Sequence, residues 1–319
     1  MENLKVDLDI DRELFTPLSE EEKNFEQIVR PSVGFWADAW RRLKTNKVAI
    51  VSLIIIGIIF IFAFLGPILM KSIMGYTYDA TDLNATNLRP SLTHWFGTDN
   101  LGRDLFVRVM YGARYSLIIA ISAAAINLVI GVLYGGVAGF FGGKIDNLMM
   151  RIVDVLYSIP TQIYVIILMA AFKKEGSTGL LTIIFAMAIS YWVGMARIVR
   201  GEILELKQRE FVLAAKTLGA SKSRILFRHL IPNCMGSILV TLTLFVPQAI
   251  FTEAFLSFIG LGINAPLASL GTLANDASGL LSTDAYQLIF PAAAICIIIL
   301  AFNLLGDGLT EALDPKNKK

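Results

Sequence analysis

Residues 48–70 of the chain are VAIVSLIIIGIIFIFAFLGPILM, an apolar stretch that contains no charged side chain. A transmembrane helix needs about 20 such residues. At a rise of about 1.5 Å per residue, this stretch is long enough to cross a bilayer with some tilt. It therefore predicts a first membrane span, Val48–Met70.

Five further runs of this kind follow, and several contain Gly or Pro, which is normal in membrane helices. The predicted second to sixth spans are Tyr115–Phe140, Leu148–Phe172, Thr178–Ile198, Cys234–Ile259 and Ala285–Leu305. Over 319 residues the chain is 55% hydrophobic and only 17% charged, whereas a soluble domain is roughly a quarter charged. We therefore predict an all-α, polytopic membrane protein with six transmembrane helices. The composition excludes a soluble enzyme, a disordered chain and a disulfide scaffold.

The distribution of positive charge predicts the orientation of the spans. Of the 28 Lys and Arg residues, 21 lie in segments 1–47, 140–151, 197–231 and 312–319, and 7 lie in segments 71–114 and 173–174. Cytoplasmic loops of membrane proteins carry the excess of positive charge. The first group of segments, with both termini, is therefore predicted to be cytoplasmic.

The spans divide the chain into predicted parts. These are a polar N-terminal extension (1–31), an amphipathic helix in the membrane interface (32–47), the first transmembrane helix (48–70), an extracellular loop (71–112), a five-helix core (113–312) that contains a basic segment (201–232), and a cytoplasmic tail (313–319). The alternative for residues 32–47 is an ordinary continuation of the first span.

The predicted spans hold few groups that could drive transport or catalysis. Arg151, Asp154, Glu253 and Asp307 are scattered, whereas an ion-driven carrier or pump keeps ionisable groups at membrane depth. The only Gly–Lys pair, at Gly143, lacks the pattern of a phosphate-binding loop. The driving energy is therefore predicted to come from another subunit.

The two cysteines, Cys234 and Cys296, form no CxxC pair. We expect two small buried apolar residues rather than a redox or metal site.

The segment from Glu210 to Asn233 predicts two short helices with a break between them. Gly219 ends the first helix and Ser221 caps the second, and Pro232 closes it. The first helix is predicted to carry one apolar stripe: Phe211, Ala214, Ala215 and Leu218. Three functions fit this pattern: a DNA-binding helix-turn-helix, an amphipathic connector on the bilayer, and a docking element for a cytoplasmic partner.

The same segment resembles the EAA motif of ABC-importer permeases. Ala214, Ala215, Gly219, Ile231 and Pro232 fit the spacing of that motif. Leu213 stands where the family has Glu, and Glu210 is similar to a preceding Glu of the longer family form. The residues that the resemblance assigns to ATPase coupling are Glu210, Phe211, Leu213, Ala214, Ala215, Leu218, Gly219, Ile231 and Pro232. We call residues 201–232 the coupling segment.

Four other stretches resemble the C-type permease subunit of dipeptide, oligopeptide and nickel importers. They are HWFGTDNLGRD (94–104), GGKIDNLMMRIVD (142–154), FLSFIGLG (255–262) and AFNLLGDGL (301–309). We call residues 94–104 the outer-loop motif. Its residues that resemble the family signature are Gly97, Thr98, Asp99, Gly102, Arg103 and Asp104. The alternative is that they only shape turns. The chain looks most like oligopeptide permeases of Gram-positive bacteria.

The resemblance implies a type I ABC importer transmembrane domain in the bacterial cell membrane, and it implies no catalytic or metal site. This chain would bind no cofactor, and ATP and Mg would be used by partner subunits. The implied partners are a homologous second permease subunit, two cytoplasmic ATPase subunits, an extracellular solute-binding protein, the peptide substrate and the lipid bilayer, but no nucleic acid. The alternatives are an ion-coupled carrier or channel, a membrane anchor, and nickel as the cargo.

Overall fold

The computed structural model describes residues 34–172 and 176–313, which form helices and loops and, within those ranges, no β-strand. The predicted extension (1–31) lies outside the described residues, as do residues 173–175 and 314–319. The helices are α1 (Phe35–Thr45), α2 (Lys47–Phe64), α3 (Gly66–Met74), α4 (Leu105–Phe141), α5 (Gly143–Tyr157), α6 (Thr161–Phe172), α7 (Leu180–Leu206), α8 (Glu210–Thr217), α9 (Lys222–Arg224), a π-helical stretch (Ile225–Leu230), α10 (Ile231–Asn233), α11 (Met235–Phe258), α12 (Leu270–Ala277), a 3₁₀ turn (Ser278–Leu280) and α13 (Tyr286–Leu313).

Two units make up the chain, Met1–Arg41 and Arg42–Lys319. In the described part of the first unit, α1 begins at Phe35, and Arg41 donates a hydrogen bond of 2.6 Å to Asp38. The rings of Trp36 and Trp40 are exposed. The helix predicted within residues 32–47 is thus present, and its position in the membrane interface stays a prediction. The following paragraphs describe the second unit.

Five helices of the described residues are long and apolar enough to cross a membrane: α2, α4, α7, α11 and α13. The third predicted span, Leu148–Phe172, is not one continuous helix. It consists of α5 and α6, which are bent by 83° at a short break. Pro160 explains the break, because proline disfavours helical geometry at the residue before it, here Ile159.

Hydrogen bonds near the helix ends show which ends lie on the same side of the layer formed by the membrane-spanning helices. The backbone N–H of Leu270, at the start of α12, donates to Ser116 of α4 (3.2 Å). Asn264, in the loop after α11, donates to the carbonyl oxygen of Thr178, in the loop before α7 (2.9 Å). The start of α4, the end of α11 and the start of α7 therefore lie on the same side.

Two further hydrogen bonds join helix ends on the opposite side. Lys207, after α7, donates to the carbonyl oxygen of Gly139 near the end of α4 (2.9 Å), and Asn46, before α2, donates to Glu311 near the end of α13 (2.7 Å). Because α4 ends on this side and α7 begins on the other, the bent pair α5–α6 crosses the layer between them. The described residues thus contain five continuous candidate spans, and a sixth when the bent pair is counted as one span, in agreement with the six that the sequence predicts.

A row of glycines brings α4 against α7. Gly131, Gly135 and Gly139 recur every four residues, so they share one face of α4. A Cβ atom at Gly135 would overlap the carbonyl oxygen of Ala196, and one at Gly139 would lie 2.9 Å from the carbonyl oxygen of Arg200. Small residues at this spacing allow close packing of membrane helices. This packing fixes α7, which leads directly into the coupling segment.

Three other predictions need correction. Helix α4 begins at Leu105, ten residues before the predicted second span, because the carboxylate of Asp104 accepts from the backbone N–H of Val107 and caps the helix there. The predicted loop after the fifth span contains α12, which begins with a capping box of Ser269 and Thr272. Of the cysteines, Cys234 is buried, but Cys296 is exposed on α13.

Candidate functional site

The coupling segment folds as a helix, a tight turn and a second helical stretch. Helix α8 ends at Thr217, and Gly219 has φ +77°, a left-handed conformation that favours glycine. The N–H of Gly219 bonds to the carbonyl of Lys216, and the N–H of Ala220 bonds to that of Ala215, each at 3.0 Å. The side chain of Ser221 accepts from the N–H of Arg224 and caps α9. The predicted break and cap are thus present.

The inner face of the coupling segment packs against the transmembrane helices. Val212 is fully buried, and it belongs to one apolar cluster with Val132 of α4 and Val199 of α7. Three residues of the second stretch are buried in the same cluster: Ile225, Leu226 and Leu230. This packing ties the segment to both helices.

The predicted apolar stripe of α8 is not one continuous contact face. Ala215 is half-buried and packs on the inner cluster beside Val212, whereas Ala214 is exposed. Three larger apolar side chains are exposed: Phe211 (39%), Leu213 (52%) and Leu218 (87%). The stripe divides because α8 lies on the second stretch with its Val212–Ala215 face. Phe211, Leu213 and Leu218 lie outside this contact and remain exposed.

The same part of the coupling segment carries several exposed charges. The exposed basic residues are Arg209, Lys216, Lys222, Arg224 and Arg228, and Glu210 is an exposed acid at the start of α8. Such a surface suits a partner that offers an apolar cleft with an acidic rim, because burying the apolar side chains removes them from water while opposite charges guide association.

The end of the coupling segment differs from the prediction at Pro232. The chain does not leave the helix there, because α10 continues to Asn233 and α11 begins two residues later. The π-helical stretch precedes Ile231, whose N–H bonds to the carbonyl of Leu226, five residues earlier. Ile231 packs partly against the inner cluster, and Pro232 is exposed.

Two ion pairs hold α7 to α5 above the coupling segment. Arg200 makes two hydrogen bonds to Asp146, at 2.5 and 2.7 Å, and Arg197 donates to Asp154 at 2.7 Å. Bidentate pairing of this kind fixes geometry as well as charge. A displacement of the coupling segment would therefore move α4, α5 and α7 together.

The outer-loop motif forms a second cluster, centred on Asp99. Its carboxylate accepts from the backbone N–H groups of Leu101 (2.9 Å) and Arg103 (3.0 Å), from the side chain of Arg103 (2.7 Å) and from Arg108. Burial alone would raise the pKa of Asp99, but Arg108 and the backbone donors outweigh burial and hold the pKa below its ordinary value.

The other motif residues shape the backbone around Asp99. Gly97 and Gly102 have φ of +79° and +72°, and a Cβ on Gly102 would overlap the carbonyl oxygen of Asp82. Thr98 accepts from the N–H of Leu88 (2.8 Å). Asp104 accepts from Val107 and bonds to the ring nitrogen Nδ1 of His94 (2.9 Å). The six predicted residues therefore meet in one cluster that folds the outer loop and starts α4.

Three contacts at this end were not predicted. The hydroxyl of Tyr286 donates to the carbonyl of Thr98 (3.1 Å), which ties α13 to the motif. Glu253 is fully buried in α11 and accepts from Ser116 (2.9 Å) and Ser257 (2.8 Å). Its carboxylate is thus held by hydroxyl groups of α4 and of its own helix. No pattern along the chain reveals these partners, because most of them are distant in sequence.

Comparisons with known proteins agree with this architecture. The family described as "Binding-protein-dependent transport system inner membrane component" matches residues 127–319, and the family described as "N-terminal TM domain of oligopeptide transport permease C" matches residues 34–90.

Curated relatives are similar over almost the whole chain. The oligopeptide transport system permease protein OppC of Bacillus subtilis is 50% identical over 97% of this chain and 99% of its own length. The dipeptide transport system permease protein DppC of the same organism is 50% identical over 96% of this chain and 94% of its own length. The oligopeptide permease OppC of Escherichia coli K12 is 41% identical over 94% and 98%.

Proposed function

Because the chain belongs to the family of binding-protein-dependent transport system inner membrane components, we propose that it is the membrane-spanning permease subunit of an ATP-driven importer of oligopeptides or dipeptides. The names of the relatives support a peptide cargo rather than nickel. The chain is a multi-pass protein of the bacterial cell membrane. Its proposed partners are a homologous second permease subunit, two cytoplasmic ATPase subunits that use ATP and Mg, and an extracellular solute-binding protein.

The observation that carries the proposal is the construction of the coupling segment. Its inner face is anchored by Val212 in the cluster shared with α4 and α7, while Phe211, Leu213 and Leu218 are exposed. An isolated connector on the bilayer would gain nothing from rigid attachment to the spans. A docking element needs both a free apolar surface and a rigid connection, because it transmits the motion of one body to another.

The proposed mechanism follows from that connection. The ATPase subunits bind the exposed face of the coupling segment, and their closure on ATP displaces it. The ion pairs of Arg197 and Arg200 and the glycine face of α4 carry the displacement into α4, α5 and α7. The path between the two permease subunits then opens to the side where the binding protein delivers peptide.

The proposal is tested by reconstituting the chain in vesicles with the second permease, both ATPase subunits and the binding protein. Peptide uptake should require ATP on the ATPase side and should stop when the ATPase subunits are omitted. Nickel added in excess should not compete. Uptake that is driven by a proton or sodium gradient without ATPase subunits would contradict the proposal and favour an ion-coupled carrier.

A further inference from the structure

A groove of about 470 Å³ lies beside the break between α5 and α6, and α4, α7 and α11 form its other walls. Its polar lining includes Asn127, Tyr157, Thr161, Ser190, Tyr191, Thr241 and Gln248. The described residues that line it include no charged side chain. The groove is therefore polar without carrying charge, although its five helices belong to four predicted membrane spans that are mainly apolar.

Asn127 supplies the strongest evidence that the groove binds something. The residue is only 2% exposed, and its side-chain oxygen has no hydrogen-bond partner within the described residues. Buried polar atoms in native proteins almost always have a partner, and an unpaired one is costly. The oxygen is itself buried, but Asn127 lines the groove, so a rotation of the side chain would bring the oxygen to a donor in the groove.

Two other features separate the groove from the lipid. Gln248 is exposed in the middle of α11, and the break between α5 and α6 interrupts the backbone hydrogen bonds of a span around Ser158 and Pro160. Irregular backbone at membrane depth occurs only where it is buried in protein or lines a water-filled cavity. This wall therefore faces a water-filled path or the protein of another subunit rather than lipid.

The hydroxyl groups of the groove are available as acceptors. Ser190 donates to the carbonyl of Ala186 (2.7 Å) and Thr241 donates to that of Ser237 (2.7 Å), both within their own helices. Because each hydroxyl hydrogen already makes a hydrogen bond, each oxygen can still accept one through its lone pairs. With the oxygen of Asn127, the groove offers three neutral acceptors.

We propose that this groove is the part of the peptide path that this subunit contributes, and that Asn127, Ser190 and Thr241 accept hydrogen bonds from the main-chain N–H groups of the moving peptide. This inference rests on the proposed function. Every non-proline residue of a peptide carries one uncharged N–H donor, so neutral acceptors bind peptides regardless of sequence. A nickel ion would instead require imidazole, thiolate or carboxylate ligands, and the described lining contains none of them.

The first test removes donors from the peptide and acceptors from the groove. Uptake of a peptide and of its analogue with one N-methylated amide is compared in the reconstituted complex. The same binding protein is used throughout, so its own preference cancels when variants are compared with the wild type. Asn127→Leu and Thr241→Val should each lower the preference for the unmethylated peptide about three- to ten-fold, the range expected for one neutral hydrogen bond.

The matched control is Ser52→Ala. Ser52 is buried in α2 and donates to the carbonyl of Val48 (2.8 Å), away from the groove, so this variant should keep the wild-type preference. If Asn127→Leu and Thr241→Val also keep it while they take up peptide, the acceptor role is overturned.

The second test introduces charge at an exposed position. Gln248→Glu should shift uptake several-fold toward lysine-rich peptides and away from glutamate-rich ones, and copurification of the ATPase subunits should show that it assembles. If the ratio of lysine-rich to glutamate-rich peptide uptake is unchanged in an assembled complex, this inference is overturned but the proposed function is not. Absence of ATP-dependent uptake by the wild-type complex would instead contradict the proposed function.

Discussion

At the scale of single residues, the carboxylate of Asp99 decides the fold of the outer loop. It faces Arg103 and Arg108, both with little solvent exposure, and accepts two backbone N–H bonds besides. Removal of one partner from a buried ion pair leaves an uncompensated charge. The first role of the outer-loop motif is therefore to stabilise the fold of the loop.

We expect Asp99→Asn to lower the free energy of unfolding by about 3 kcal/mol at neutral pH, because the buried Arg108 would lose its nearest charge partner. Among the described residues it would keep only Asp276, which is 3.9 Å away and exposed. The folded pKa of Asp99 lies below its unfolded value. The stabilisation that the Asp99 carboxylate gives to the folded state is therefore complete above about pH 4, and it is lost as the pH falls toward the folded pKa.

Thermal unfolding in detergent between pH 7 and pH 3 measures this effect. The difference between wild type and Asp99→Asn should shrink as the pH falls. Asp79→Asn, an exposed change in the same loop, is the control and should have little effect at any pH. A difference that stays constant down to pH 3 would show that the charge of Asp99 is not what stabilises the loop.

Leu218 offers a residue-scale test of docking. Its side chain is 87% exposed, so Leu218→Asp should fold normally. Burial of a leucine at an interface is worth about 1.5–3 kcal/mol, so the variant should bind the ATPase subunits at least about ten-fold more weakly. Leu92→Asp, at a 94% exposed position of the outer loop, should bind them as the wild type does. Equal copurification of the two variants would exclude Leu218 from the docking surface.

At the scale of elements, the contact between α4 and α7 depends on the absence of side chains. The two helices approach so closely that a Cβ atom at Gly135 would overlap the carbonyl oxygen of Ala196. By contrast, Gly57 of α2 has open space around its Cβ position.

The same substitution should therefore have opposite effects at the two glycines. Gly57→Ala should stabilise the protein by up to about 1 kcal/mol through helix propensity. Gly135→Ala should destabilise it by about 1–3 kcal/mol, because the helices must separate to admit the methyl group. The midpoint of thermal unfolding in detergent distinguishes the two. A Gly135→Ala protein as stable as wild type would show that α4 and α7 pack less closely than described.

The elements also show what can be predicted from the sequence. The spans follow from apolar length, which needs no knowledge of neighbouring helices. The break at Pro160 was not predicted, because it lies inside one apolar run. Helix α12 was not predicted either, because it lies in a segment that reads as a loop despite the Ser269–Thr272 capping pattern. For α8, the spacing groups Ala215 with Phe211, but the packing of Val212 on the second stretch determines which face is buried. The bond from Tyr286 to Thr98 joins residues 188 positions apart, and no local pattern indicates it.

At the scale of the whole second unit, the number of crossings determines on which side the coupling segment lies. Loop contacts place Thr178 beside Asn264 and Lys207 beside Gly139, so α5 and α6 together cross once. If the bent pair instead returned to its starting side, the coupling segment would lie on the outer surface, where ATPase subunits could not reach it. The excess of Lys and Arg predicts the cytoplasmic side for this segment.

We therefore predict the labelling pattern of single cysteines on intact cells, in a background with Cys234→Ala and Cys296→Ala. Leu92→Cys and Ser282→Cys should react with an impermeant thiol reagent, because both positions are exposed on the side of the outer-loop motif. Ser223→Cys, exposed in the coupling segment, should react only after the membrane is permeabilised. Reaction of Ser223→Cys on intact cells together with Leu92→Cys would mean that α5 and α6 do not cross. Reaction of Ser223→Cys alone would mean that the orientation is inverted, and either result would remove the coupling segment from the reach of cytoplasmic ATPase subunits.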